Sequence, residues 1–265
     1  MTAPPVATPD TRLPSARRIL GVDAARGVAL IGMMSIHIAP AIGTDGSTST
    51  TYLIASGRSA ALFALLAGVG LALASGGPTP RRGRPLLAAM AATVARAAVL
   101  ALVGFFLGAF ESGLAIILVY YALLFVVATP FLGLRARVLL PLAAAAAVLT
   151  PGLSQWLRAS MPPPSYGNPT LESLADPVGL FRELTVTGYY PVLTWSAYIL
   201  AGLAVGRLAL ADRRTAWAVM LGGAVLAVVA WATSWFLLNA GDGLAALALE
   251  ALLRPSEPVA LDLPK

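Results

Sequence analysis

Residues 86–110 read LLAAMAATVARAAVLALVGFFLGAF, and this stretch decides the fold class. Its 25 residues contain one charged side chain, that of Arg96. A membrane-spanning helix needs about 20 predominantly apolar residues, because the hydrocarbon core supplies no water to unpaired backbone groups. The stretch is therefore predicted to cross a membrane as an α-helix.

The composition of the whole chain supports this prediction. Of 265 residues, 58% are apolar and 11% are charged, whereas soluble domains average about 25% charged. A soluble fold is excluded on this ground. The absence of cysteine excludes thiolate nucleophiles, disulfides and iron–sulfur clusters, and one histidine leaves little material for a metal site, so no metal is predicted.

Six further apolar segments bring the number of predicted membrane helices to about seven. The seven segments are residues 19–43, 53–75, 86–110, 113–134, 138–157, 191–211 and 215–238. The predicted fold is an all-α, polytopic bundle over residues 19–240 with an outer loop at 154–190. Residues 1–18 are predicted to be a disordered cytoplasmic tail, and residues 241–265 a short extracytoplasmic tail.

The basic residues predict the orientation of this bundle. The net charge of +6 rests on arginines that lie between the apolar segments, not on a basic domain, so no nucleic-acid partner is expected. The tail and alternate connections hold eleven of them: Arg12, Arg17, Arg18, Arg81, Arg82, Arg84, Arg135, Arg137, Arg207, Arg213 and Arg214. Five basic residues fall on the other side. The positive-inside rule therefore places the N-terminus in the cytoplasm and the C-terminus outside. The expected location is the cytoplasmic (inner) membrane.

Small residues recur at the spacing that lets membrane helices approach closely. The pairs Gly104 and Gly108, and Gly202 and Gly206, are each four residues apart. Such pairs are typical of helix–helix contacts in membranes, although glycine is also common in membrane helices generally.

Ionisable residues concentrate in the first predicted helix. The step from Arg26 to His37 turns about 20° past three full turns and rises roughly 16 Å, so the two residues share a face. Asp23 lies one turn before Arg26 and is expected to pair with it. A neutral His37, buried in the bundle, is a candidate general base; the alternative is a histidine that only packs against a neighbouring helix.

Three segments carry a family resemblance. Residues 17–30, RRILGVDAARGVAL, followed by His37, resemble the opening of the membrane-bound acyltransferase superfamily, including its acyltransferase-3 branch. Residues 57–68 (GRSAALFALLAG) and 190–207 (YPVLTWSAYILAGLAVGR) are similar to the branch related to heparan-alpha-glucosaminide N-acetyltransferase.

The resemblance implies acyl transfer across the membrane. Acyl-CoA, usually acetyl-CoA, would act as co-substrate from the cytoplasm, with no permanently bound cofactor. The acceptor would be a sugar hydroxyl or amine of an envelope glycan or lipid-linked sugar. On this reading His37 deprotonates the acceptor or carries the acyl group, and Arg26 orients the site or attracts the donor's phosphates.

Three further residues are predicted to bind substrate. Arg58 is a candidate for an anionic acceptor, with snorkelling to the interface as the alternative. Arg96 lies near mid-membrane and must face the interior, a cavity or a ligand. Trp195 is a candidate for sugar stacking, although it is also typical, with Tyr120, Tyr121, Tyr189 and Tyr190, of interfacial anchors. Arg26, His37, Arg58 and Arg96 are expected to point into one cavity.

Other functions remain open at this level. A small-solute or lipid transporter would use His37 and Arg96 to line a permeation path. Members of the superfamily generally have ten or more membrane helices, so seven would make this chain a shortened homologue, either active or acting only as a scaffold. A homo-oligomer or a partner membrane protein is then a further expectation.

Overall fold

The computed structural model describes residues 19–43, 46–110, 113–162 and 167–240. Nine α-helices occur in this part of the chain: α1 (Leu20–Ile38), α2 (Thr50–Ala55), α3 (Arg58–Ala74), α4 (Arg84–Gly108), α5 (Leu118–Ala128), α6 (Ala136–Arg158), α7 (Pro177–Arg182), α8 (Val192–Gly206) and α9 (Arg213–Ala240). Short 3₁₀ helices cover Thr129–Gly133 and Leu171–Ala175, and a π-helical turn covers Glu183–Thr187.

All seven predicted membrane segments are helical, so the predicted all-α membrane bundle is confirmed. Five spans, counting α2 and α3 together, are 19 to 27 residues long and apolar enough to cross a membrane. The other two, Leu118–Gly133 and Val192–Gly206, are shorter. These two are also the most enclosed, since eight of the 15 residues of α8 are buried. Among the five longer spans, Thr50–Ala74 is also well enclosed, whereas the other four are mostly exposed within the described part of the chain.

The predicted segment 53–75 is broken near its start. Gly57 has a φ of +69°, a left-handed conformation that glycine adopts without steric cost, and it separates α2 from α3. Arg58 is therefore the first residue of α3 and does not lie within a continuous helix.

Helix α8 lies at the centre of the unit formed by the residues up to Ala211. It packs against α3, α5 and α6, while α1 packs on α3 and α4 packs on α5. The core includes the fully buried side chains of Leu124, Leu132, Leu139, Ile199 and Leu203.

Both predicted glycine pairs lie at close helix contacts. A Cβ on Gly206 would stand 2.6 Å from the Cβ of Ala72, and a Cβ on Gly202 would overlap the Leu65 carbonyl oxygen. A Cβ on Gly104 would stand 2.7 Å from Cγ2 of Val119, and one on Gly108 would overlap the Pro169 carbonyl. The prediction that these glycines allow helices and loops to approach closely is confirmed.

A buried arginine fixes one end of this unit. Arg207 follows α8 and is only 4% exposed. Its guanidinium donates five hydrogen bonds: Nε to Leu134 O (3.1 Å), Nη1 to Ala72 O (2.8 Å) and Gly77 O (2.9 Å), and Nη2 to Ser75 Oγ (2.8 Å) and Leu132 O. All five N–H groups of the side chain are thereby used. The ends of α3 and α8 and the 3₁₀ turn after α5 consequently lie at one end of the bundle. We call this the arginine-rich end, because Arg81, Arg82 and Arg135 lie in the connections that follow α3 and the 3₁₀ turn.

The charge count places Arg207 in the connection after the sixth predicted helix, and the residue does lie at the end of α8. The structure adds that its side chain is buried among backbone carbonyls. The charge count assumes that alternate connections lie on the same side of the membrane. The connections after α3 and after α5 both bond Arg207 and so lie at the same end of the bundle, as this assumption requires.

The opposite end is tied together by the predicted outer loop. Asn168 Nδ2 donates to Leu114 O (2.7 Å), and its Oδ1 accepts from the Ile116 N–H (2.7 Å). Arg158, at the end of α6, donates to Val186 O. The tails predicted for residues 1–18 and 241–265 lie outside the described residues.

The described residues from Asp212 to Ala240 belong to a second unit. The Asp212 carboxylate accepts hydrogen bonds from the backbone N–H and Oγ1 of Thr215, both at 3.1 Å, and so caps the first turn of α9. Helix α9 confirms the predicted helix over residues 215–238.

Candidate functional site

A cavity of about 820 Å³ lies between α1, α3, α4 and α5. Volumes of about 300–1,000 Å³ are typical of small-molecule sites. Ten of its lining residues are apolar: Met33, Phe63, Leu66, Ala67, Ala95, Val99, Leu100, Ile117, Leu118 and Phe125. The remaining three are Arg26, Arg96 and Tyr121. The cavity is thus hydrocarbon-like apart from two guanidinium groups and one phenol.

Arg26 reaches the cavity from α1. Its Nη1 lies 3.5 Å from Oδ1 of Asp23, so the predicted ion pair is present. Both side chains are about half exposed, and such pairs contribute little to stability. The guanidinium extends to α3, where glycine at position 70 leaves room for Nη2. The pair therefore serves more to orient Arg26 than to hold the fold.

Arg96 enters from α4 and has no hydrogen-bond or ion-pair partner within the part of the chain that the structure describes. It also lines a smaller cleft of about 170 Å³ together with Ser75, Arg81 and Thr93. Ser75 and Arg81 belong to the connection between α3 and α4, so this cleft leads from Arg96 toward the arginine-rich end. Arg96 therefore lines both the large cavity and the smaller cleft.

Tyr121 forms part of the wall between α3 and α5. Its hydroxyl donates to Ala60 O (3.3 Å), and its ring meets Phe63 edge to face at 5.7 Å between centroids. Tyr121 was predicted to be an interfacial anchor, but its side chain is only 4% exposed. Nothing in the local sequence separates it from the neighbouring Tyr120, so only the packing reveals its place.

His37 does not line the cavity and is exposed, which contradicts the expected burial. Met33 is the last α1 residue in the lining, and His37 follows it by four residues, about one helical turn. His37 therefore lies on the same side of α1 as Arg26 and Met33, one turn beyond the cavity. Helix α1 packs mainly on α3 and also on α2, and the His37 side chain remains exposed.

Arg58 is likewise outside the cavity. The side chain is exposed, and Nη1 donates to Leu53 O in α2. The break at Gly57 explains this position, because it leaves α2 carbonyl groups within reach of the first residue of α3. The expected common cavity thus holds for Arg26 and Arg96 and is wrong for His37 and Arg58.

Trp195 also lies away from the cavity. Its ring contacts Tyr190 at 5.0 Å and Tyr198 at 5.6 Å, both edge to face. Tyr190 in turn contacts Tyr120 at 5.6 Å. The structure places Trp195 in an aromatic cluster near the start of α8.

Next to this cluster, the outer loop contains a polar pocket of about 210 Å³. Its lining includes Ser173, Asp176, Arg182, Glu183 and Thr187. The Tyr120 hydroxyl donates to Oε1 of Glu183 at 3.4 Å. Partial burial raises the pKa of Glu183 above its usual range, and the Tyr120 hydrogen bond opposes part of this shift. Glu183 was not among the residues predicted from the sequence, because no motif marks this carboxylate.

Metal ligands are not grouped in the described ranges 19–43, 46–110, 113–162 and 167–240. No three His, Asp or Glu side chains there lie close enough to hold an ion.

Comparison with known proteins assigns the chain to a family. No curated protein and no solved structure matches the chain. A family model described as "Heparan-alpha-glucosaminide N-acetyltransferase, catalytic" matches residues 18–238, which include every helix from α1 to α8 and most of α9. This family is one of membrane-embedded N-acetyltransferases, in agreement with the helices described above. The chain therefore belongs to the heparan-alpha-glucosaminide N-acetyltransferase catalytic family.

Proposed function

We propose that the protein is an integral-membrane acyltransferase of the cytoplasmic membrane. It transfers an acyl group, most simply acetyl, from acyl-CoA at the arginine-rich end to a sugar hydroxyl or amine at the opposite end. The acceptor is an envelope glycan or a lipid-linked sugar. One observation carries the proposal: Arg26 and Arg96 share a cavity whose α1 wall ends one turn before His37.

The donor's phosphates bind in the cleft between Arg81 and Arg96. Guanidinium groups bind phosphate oxygens strongly and with defined geometry, because they donate two parallel hydrogen bonds. The cleft lies toward the end of the bundle where the arginines concentrate. In the predicted orientation this end faces the cytoplasm, from which acyl-CoA arrives.

The thioester is then carried through the cavity toward His37. Arg26 and His37 are about 16 Å apart along the helix axis, a distance comparable with an extended pantetheine arm. Apolar walls exclude water from this path and so protect the thioester from hydrolysis.

His37 acts as general base at the outer end. It takes the proton from the acceptor O–H or N–H as that atom attacks the thioester carbonyl. A carbon–oxygen or carbon–nitrogen bond forms, the carbon–sulfur bond breaks, and the imidazolium returns the proton to the CoA thiolate. The Asp23–Arg26 pair and Arg96 position the donor and do not take part in proton transfer.

The test is acetyl transfer by the purified chain in liposomes, with labelled acetyl-CoA as donor and glucosamine as acceptor. His37→Ala should lower kcat at least 100-fold, with unchanged thermal stability because the side chain is exposed. Arg137→Gln, an exposed arginine of α6 outside both spaces, is the matched control and should retain activity. Full turnover by His37→Ala would overturn the mechanism. Glucosamine flux without acetyl-CoA would instead favour a transporter.

A further inference from the structure

The lining of the large cavity does not suit a sugar. Among the described residues, the polar groups of its lining are the Arg26 and Arg96 guanidiniums and the Tyr121 hydroxyl, which already donates to Ala60 O. Within the part of the chain that the structure describes, no other strongly hydrogen-bonding side chain lines the space to recognise a polyol. Apolar walls favour a hydrocarbon chain, and the two cations favour an anion.

The cavity is open along α4. Val99 lines it and is 61% exposed, and Arg96 is exposed beside it. The same helix continues with the exposed side chains of Leu102 and Phe106, at 64% and 60%. Exposed apolar side chains on a membrane helix contact lipid tails. A lipid can therefore enter from the bilayer without passing through water.

Charge identifies the head group. Arg96 has no counter-ion in the described part of the chain, and an unpaired cation within a membrane carries a substantial cost. A neutral helix or alkyl chain in the cavity would leave that cost in place. A phosphate between Arg96 and Arg26 removes it, while the attached tail fills the apolar remainder.

We propose that this cavity is a binding site for one membrane lipid with a phosphate-bearing head group. The phosphate contacts Arg26 and Arg96, and the tail lies among Phe63, Leu100 and Phe125. The site itself needs no acyl donor and so does not rest on the proposed acyl transfer. If both functions are present, the lipid and the pantetheine arm occupy the same space and exclude each other.

Binding of dodecyl phosphate to the full chain in nanodiscs of neutral lipid tests the proposal. Dodecanol has the tail without the phosphate, and inorganic phosphate has the charge without the tail. Dodecyl phosphate should bind at least tenfold more tightly than either. Equal binding of dodecanol would reduce the site to an apolar cavity, and equal binding of inorganic phosphate would make it a free-anion site. Either result overturns the proposal.

Two variants localise the binding. Arg96→Gln should weaken dodecyl phosphate about tenfold or more, whereas Arg137→Gln removes the same charge from an exposed position outside the cavity and should leave binding unchanged. Ala67→Phe should block the tail and weaken binding independently of charge. Equal affinity of the Arg96 and Arg137 variants would overturn the proposal.

These readouts are separate from acetyl transfer. Acetyl transfer without dodecyl phosphate binding overturns the lipid site alone. Dodecyl phosphate binding without acetyl transfer overturns the proposed function alone.

Discussion

Nη2 of Arg26 lies 2.6 Å from the point that a Cβ on Gly70 would occupy. The two residues belong to different helices, α1 and α3. The missing side chain of Gly70 thus leaves the space into which the Arg26 guanidinium extends. The position of one cation in the cavity is set by a neighbouring helix and not by α1 alone.

Gly70→Ala should displace this guanidinium. The atom in conflict is the far end of a flexible side chain, so the fold should remain intact while Arg26 moves. We expect affinity for dodecyl phosphate and for acetyl-CoA to fall severalfold, measured by binding titration, with little change in melting temperature. Gly27→Ala on α1 is the control, since nothing lies within 4 Å of a Cβ there. Wild-type affinities for Gly70→Ala would contradict this contact.

Arg207→Lys should destabilise the protein although it keeps the charge. Lysine has three N–H donors on one atom, whereas Arg207 uses five in a planar fork, so buried acceptors lose their partners. The expected loss is about 3 kcal/mol, seen as a lower melting temperature in detergent. The corresponding Arg137→Lys change at an exposed site should have no effect. Equal melting of the two variants would show that Arg207 acts only through charge.

Gly202→Ala should disrupt the contact between α3 and α8. The added Cβ meets the backbone oxygen of Leu65, which cannot rotate away, so the helices must separate. Overpacking of this kind costs about 1–3 kcal/mol, and thermal unfolding should report it. Gly222→Ala in α9 meets nothing within 4 Å and serves as the control. If both variants melt like the wild type, the close approach at Gly202 is not required.

Glu183 should make stability depend on pH. Burial raises the pKa of its carboxyl in the folded state, so its favourable contribution is complete below the ordinary glutamate pKa and is lost as pH rises through the raised value. Glu183→Gln still accepts the Tyr120 hydrogen bond but cannot ionise. Melting curves between about pH 4 and pH 8 should therefore show that the melting temperature of the variant increases relative to that of the wild type as pH rises. Glu172→Gln, exposed in the same loop, should show no such gain.

The sequence was sufficient for features that depend on local composition. The membrane class, the seven helical segments and the family follow from apolar runs and from spaced residues such as Arg26 and His37, because a bilayer imposes length and hydropathy on each segment separately. The Asp23–Arg26 pair was also predictable, since residues three apart on a helix are neighbours. Helix ends were less predictable from the sequence, because the break at Gly57 depends on a single backbone conformation.

The contents of the cavity could not be read from the sequence. Its walls come from four helices, and whether a residue faces them depends on how those helices pack. His37 and Arg58 share the polarity of Arg26 and Arg96, but one lies a turn beyond the cavity and the other bonds a carbonyl of α2. Arg207 and Tyr121 are the converse case, because their residue types are typical of membrane interfaces and connections, yet both side chains are buried. Periodicity within a helix identifies a face, whereas only contacts between distant segments decide what that face meets.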